Sequence, residues 1–247
     1  MRAGSIIAPG LAGIVAAMAA ACGGADAPAR QPVARPAHHE RVIPPRSADD
    51  DDDDGVEIEG LKGHLDQADI QAGVEPHHDA LTSCFMSRVG KRRFLGGQIE
   101  LAWRIARDGS VKEVQIAAGD LGAWPIEKCL LEVSRSMTFA RPKGGLAEFS
   151  LPLDFPPRGT VLSWDEQKAQ TEIEDKLPEL AACDGAGGEV VVTLYVGTRG
   201  QVQSVGFSSP GAPYSDAWAD CAAEAIGGWT LSDPRGQVAK LAFRFTP

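Results

Sequence analysis

Cysteine is the residue type whose spacing most constrains the chemistry open to this chain. Four of its five cysteines, Cys84, Cys129, Cys183 and Cys221, are spread through the second and third thirds of the sequence, and Cys22 stands near the start. A zinc site wants clustered thiolates such as Cys-x-x-Cys, and a dithiol redox centre wants the same pair to lower a thiol pKa. Neither pattern occurs here. An even set of distant cysteines in an exported chain reads as disulfides, and four of them allow three connectivities. His64, His77 and His78 lack the His-Glu-x-x-His arrangement of a zinc protease. Their expected place is the first helix region, where at most one of the adjacent pair could share a face with His64. His38-His39 is an exposed pair, read as solvated. The run Asp49 to Asp54 has neither the ligand spacing nor the internal glycine of a calcium loop, so it reads as a solvated spacer. Gly96-Gly97 and Gly187-Gly188 precede strand patterns instead of opening helices, so they cradle no phosphate. No nucleophile elbow or dinucleotide fingerprint occurs, and the carboxylates are scattered. The expectation is a chain with no catalytic residue, no metal and no cofactor, hence not an enzyme.

Charge and hydropathy narrow the partners. The chain carries 34 acidic against 24 basic residues, a net charge of −10 over 247 residues, which argues against nucleic acid as a partner. Hydrophobic residues make up 43%, enough for a packed core. Outside the extreme N-terminus no stretch approaches the ~20 apolar residues of a membrane span, which excludes a multi-span channel or transporter. Arg2 followed by the apolar run Ile6 to Met18 has the layout of a secretory signal. The segment ends Ala19-Ala20-Ala21-Cys22-Gly23-Gly24, which resembles the lipobox of bacterial lipoproteins, with Ala19 where leucine is usual. That resemblance implies lipidation of Cys22, cleavage after residue 21 and anchoring to a membrane through several acyl chains. Ordinary cleavage after an Ala-x-Ala pattern, with Cys22 incidental, is the plain alternative.

Residues 22–57 read as a linker. Prolines at 28, 32, 36, 44 and 45 favour extended chain, and the aspartate run stiffens it by self-repulsion. At ~3.1 Å per residue, such a tether reaches on the order of 100 Å.

The remainder is an internal duplication. In the first copy, Cys84 is followed by Gly96-Gly97, the alternating run Ile99, Leu101, Trp103, Ile105, then Asp108-Gly109, Val111 to Ile116, Cys129, Met137 and Arg141-Pro142. In the second, Cys183 is followed by Gly187-Gly188, Val190, Val192, Leu194, Val196, then Arg199-Gly200, Val202 to Phe207, Cys221, Trp229 and Asp233-Pro234. Gly97 to Gly109 and Gly188 to Gly200 both span 12 residues, and Cys129 to Pro142 and Cys221 to Pro234 both span 13. Gly109 to Cys129 spans 20 against 21 in the second copy.

Each copy reads helix–strand–strand–helix–strand. Period-2 alternation puts Ile99, Leu101, Trp103 and Ile105 on one face of a strand. The glycines at 109 and 200 mark hairpin turns. Trp124-Pro125 opens a helix, with Ile126, Cys129, Leu130, Val133 and Met137 on one stripe. Phe149, Leu151, Leu153, Phe155 and Leu241, Phe243, Phe245 alternate as last strands, and Pro152 marks an edge or an outward bend. The fold class expected is α+β: two tandem αββαβ domains, residues 58–157 and 163–247. Each is a three-stranded antiparallel sheet with two helices on one face and solvent on the other.

The segments Gly97-Gln98-Ile99-Glu100-Leu101, Asp108-Gly109-Ser110-Val111, Met137-Thr138-Phe139 and Arg141-Pro142 resemble the C-terminal domain of the TonB family. With Cys84 and Cys129 added, they are similar to the AgmX/PglI variant of that domain. The likeness covers residues ~60–156, and more weakly ~165–247, where Gly197-Thr198-Arg199-Gly200 and Trp229-Thr230-Leu231 replace the family steps. It implies a protein–protein contact module facing the periplasm or on the outer-membrane surface, in a motility or envelope-transport assembly. An envelope protein and the membrane are the implied partners. Energy transduction is not implied, because the N-terminus departs from the transducer pattern.

The duplication favours pairing Cys84 with Cys129 and Cys183 with Cys221, each tying helix one to helix two. Three-stranded sheets leave two edges each unless the copies pair, and an edge offers N–H and C=O groups to an extended peptide. The second copy's last strand has no proline, so Leu241, Ala242 and Phe243 are the candidate partner-binding residues. A secreted hydrolase without a visible motif and a purely structural spacer are the competing readings.

Overall fold

The computed structural model describes residues 62–164 and 166–246. Cys22, the expected signal at residues 1–21 and the whole expected linker, 22–57, lie outside the described residues. In the first repeat, β1 (Lys62–Gly63) leads to α1 (Gln67–Val74), one 3-10 turn at Glu75–His77 and α2 (His78–Val89). The hairpin β2 (Gly97–Ile105) and β3 (Val111–Gly119), α3 (Trp124–Arg135) and β4 (Leu146–Phe155) follow. The second repeat runs β5 (Leu162–Ser163), α4 (Glu166–Glu174), α5 (Leu177–Leu180), β6 (Val190–Val196), β7 (Val202–Ser208), α6 (Asp216–Gly227) and β8 (Ala239–Phe245). Two four-stranded sheets result, ordered β1-β4-β2-β3 and β5-β8-β6-β7.

The repeat is visible atom by atom. Gly109 and Gly200 sit at φ +91° and +85°, where a side chain is strained. Each is docked to its own repeat by the same bond, Phe139 N to Gly109 O and Leu231 N to Gly200 O, both 2.9 Å. A Cβ on either glycine would strike that same partner residue's carbonyl oxygen, Phe139 O or Leu231 O. Helix α3 opens at Trp124-Pro125 and α6 at Ser215, whose Oγ accepts from Trp218 N at 3.0 Å.

Two expectations need correction. The sheets are mixed and four-stranded, because β1 and β5 pair parallel with the starts of β4 and β8. Such two-residue strands carry no periodic signal, so nothing in the sequence pattern separates them from loop. Nor does the second sheet leave one face to solvent. On β6, Val190, Val192, Leu194 and Val196 face the helices, and Thr193 and Tyr195 on the reverse side are just as buried. The first repeat covers them: Gly122 lies against Thr193 and Tyr195, and Phe94 packs 5.3 Å from the Tyr195 ring. A strand buried on both faces reads as a nearly continuous apolar run, as Val190 to Val196 does with Thr193 its one interruption. The two repeats therefore belong to one compact unit, Val56–Pro247.

Candidate functional site

The disulfides are Cys84–Cys129 and Cys183–Cys221, with Cα atoms 5.7 and 5.8 Å apart, spanning 45 and 38 residues. The first ties α2 to α3, and the second ties the turn after α5 to α6. Two such bonds mark an oxidising, exported environment. They consume all four thiols of the repeats. The histidines do not converge. His64 precedes α1 in an isolated bridge to Lys143 and shares a 3.1 Å contact with Asp66 in solvent. His77 and His78 sit at the junction between the 3-10 turn and α2.

Leu241, Ala242 and Phe243 lie together on β8, in two environments. Leu241 and Phe243 are 1% and 3% exposed, and Phe243 stacks on Trp229 at 6.1 Å. These two side chains build the core and are not presented to a partner. Ala242 is on the opposite, exposed face. What β8 offers outward is backbone. Leu162 N donates to Val238 O at 3.0 Å and Trp164 N to Lys240 O at 2.8 Å, so alternate residues turn their peptide groups away from β6. That alternation carries on to Ala242 and Arg244 beyond the end of β5. Among the described residues no backbone or side-chain hydrogen bond reaches their outward groups. The equivalent strand β4 is capped by β1 only at Leu146 and Ala147. In register, Glu100 faces Pro152 in the first sheet as Val191 faces Arg244 in the second. Pro152 thus occupies an outward position, where its missing N–H leaves the ladder to β2 intact.

The other edges are closed against each other. Ser209 N donates to Ile116 O at 2.8 Å, joining the residue just past β7 to β3. At Phe207 the outward N–H donates to Glu127 Oε2 at 2.8 Å, and the carbonyl accepts from Tyr214 Oη at 2.8 Å. Glu127 also accepts from Ala123 N at 3.0 Å through Oε1. Burial raises its pKa to about 7, against these hydrogen bonds and the Lys240 charge, which pull the other way. Gly206 makes room, since a Cβ there would collide with the Glu127 carboxylate and the Ala123 nitrogen. Around this point Tyr195 Oη donates to Gly96 O at 2.7 Å, Lys240 Nζ meets Asp120 at 2.8 Å and Lys128 Nζ meets Asp220 at 2.7 Å. Arg135 grips Asp216 through two bonds of 2.7 and 2.6 Å. Each exposed pair is worth at most about 1 kcal/mol, so together they set the register of the joint more than its strength.

No protein-family profile, curated protein or solved structure matches this chain.

Proposed function

We propose that this chain is an envelope-anchored lipoprotein whose tandem repeats form a periplasmic protein–protein interaction module. The module takes an extended segment of an envelope protein as an added strand on the outer edge of β8. The observation carrying this reading is the pair of outward peptide groups at Ala242 and Arg244, on a strand whose alternate side chains Leu241, Phe243 and Phe245 are locked in the core. Strand addition draws affinity from such main-chain groups and needs a rigid edge. The resemblance of residues 97–142 to the TonB C-terminal domain supports the same reading, and the disulfides support an exported location. Lipidation at Cys22 and a role in a motility or envelope-transport assembly belong to this proposal. The β4 edge is the weaker surface, because Pro152 removes one of its donors. The test is capture of crosslinked envelope partners by the parent chain and by a chain with proline placed at Ala242.

A further inference from the structure

A groove of about 460 Å³ lies at the C-terminal end of α2, and no residue of β8 lines it. Phe85, Val89 and Leu95 form its apolar floor, and Lys91, Arg93 and Arg158 stand along its rim. The two walls are tied together, since Arg158 N donates to Arg93 O at 2.9 Å. Arg88 and Arg92, both exposed, bring the local cluster to five cations. None of the five forms an ion pair among the described residues. The dipole at the end of α2 amounts to about half a charge, far short of what five cations would balance. Beside the rim lies Met86, 49% exposed and the most exposed large apolar side chain among the described residues. Its sulfur is 3.6 Å from an Arg158 nitrogen.

We propose that this groove docks an acidic peptide segment of a partner protein, with carboxylates on the cationic rim and an apolar side chain on the floor. Charge complementarity sets the sign of the occupant: a concentrated positive patch favours acidic segments and repels basic ones. The concave apolar floor favours a peptide over a lipid surface, because a bilayer presents headgroups in a plane and cannot fill a groove. The groove shares no lining residue with the β8 edge and would act as a second contact.

The probe is a short fluorescent peptide of alternating Glu, Asp and Phe, titrated against the full mature chain by anisotropy at low and high salt. Vesicles of phosphatidylglycerol and a peptide with its acids replaced by lysine run in parallel. Saturable, salt-sensitive binding of the acidic peptide alone is expected. Affinity should fall at least about tenfold in Lys91→Glu/Arg93→Glu, fall independently in Arg158→Glu, and fall a few-fold in Met86→Ala. Ala242→Pro should leave it unchanged, which separates this site from the strand edge. Melting midpoints matching the parent's confirm that the variants fold. No binding of the acidic peptide, equal binding by the folded charge-reversed variants, or binding of vesicles in its place would overturn the proposal.

Discussion

Glu127 Oε2 accepts the backbone N–H of Phe207 at 2.8 Å, so a side chain of the first repeat closes the edge strand of the second. The carboxyl is fully enclosed and its pKa is raised from 4.5 to about 7 by burial. A raised acid pKa means the fold favours the protonated form. The stabilisation is complete below about pH 4.5 and is lost as pH climbs through about 7, a change of about 3 kcal/mol. Denaturant titrations across this range should show stability falling with pH in the parent and a flatter profile in Glu127→Gln. Equal slopes in the two proteins would refute the assignment.

Gly206 is the companion test. Gly206→Ala puts a methyl into the space of the Glu127 carboxylate and the Ala123 nitrogen. Either the carboxylate withdraws, orphaning the buried Phe207 N–H, or the strand shifts. We expect a loss of about 2 kcal/mol or more in equilibrium unfolding. A loss within a few tenths of the parent would mean that the joint is loosely packed.

The disulfides should be separately removable. Peptide mapping without reductant should recover Cys84 with Cys129 and Cys183 with Cys221, and a cross-bridge between the repeats would contradict the fold. Replacing either pair with serine should cost about 2–4 kcal/mol, since each bond closes a loop of similar length.

These joint residues show where the sequence was informative and where it was silent. The alternation of Ile99 to Ile105 and the matched spacings of Gly109 and Gly200 define hairpins that the structure contains. Of the stripe Ile126, Cys129, Leu130, Val133 and Met137, the first four define the side of α3 that packs within its own repeat, and Met137 is buried just past the end of the helix. A second stripe, Trp124, Glu127, Leu131 and Ser134, is buried too, because β7 and α6 pack against the same helix. Its helical spacing was legible, but the carboxylate in it reads as a solvent-facing charge until a neighbour is known. Burial of Thr193 and Tyr195 depends likewise on the other repeat. The outward positions Ala242 and Arg244 were not separable from Leu241 and Phe243 by alternation alone, which does not say which peptide groups face a neighbour. The cationic groove gathers Arg158 with residues some 65 positions earlier, a juxtaposition only the folded chain makes.

Anchoring is tested apart from the fold. Clickable palmitate should label the parent at Cys22, and Cys22→Ser should lose the label and leave the membrane fraction. A mutant that stays membrane-bound, with a parent that takes no label, would remove lipidation from the account.

Strand addition to the outward peptide groups of β8 is tested most directly by proline at its two outward positions. Ala242→Pro deletes one outward donor while sparing the ladder to β6, and Arg244→Pro repeats the test at the position where the first sheet already carries Pro152. Crosslinked cells expressing parent or variant are lysed and the tagged chain is recovered, with far-UV spectrum and melting midpoint checked on the purified proteins. Both proline variants should keep the fold and lose most of a specific envelope partner captured by the parent. Equal capture by a folded Ala242→Pro or Arg244→Pro chain would contradict strand addition.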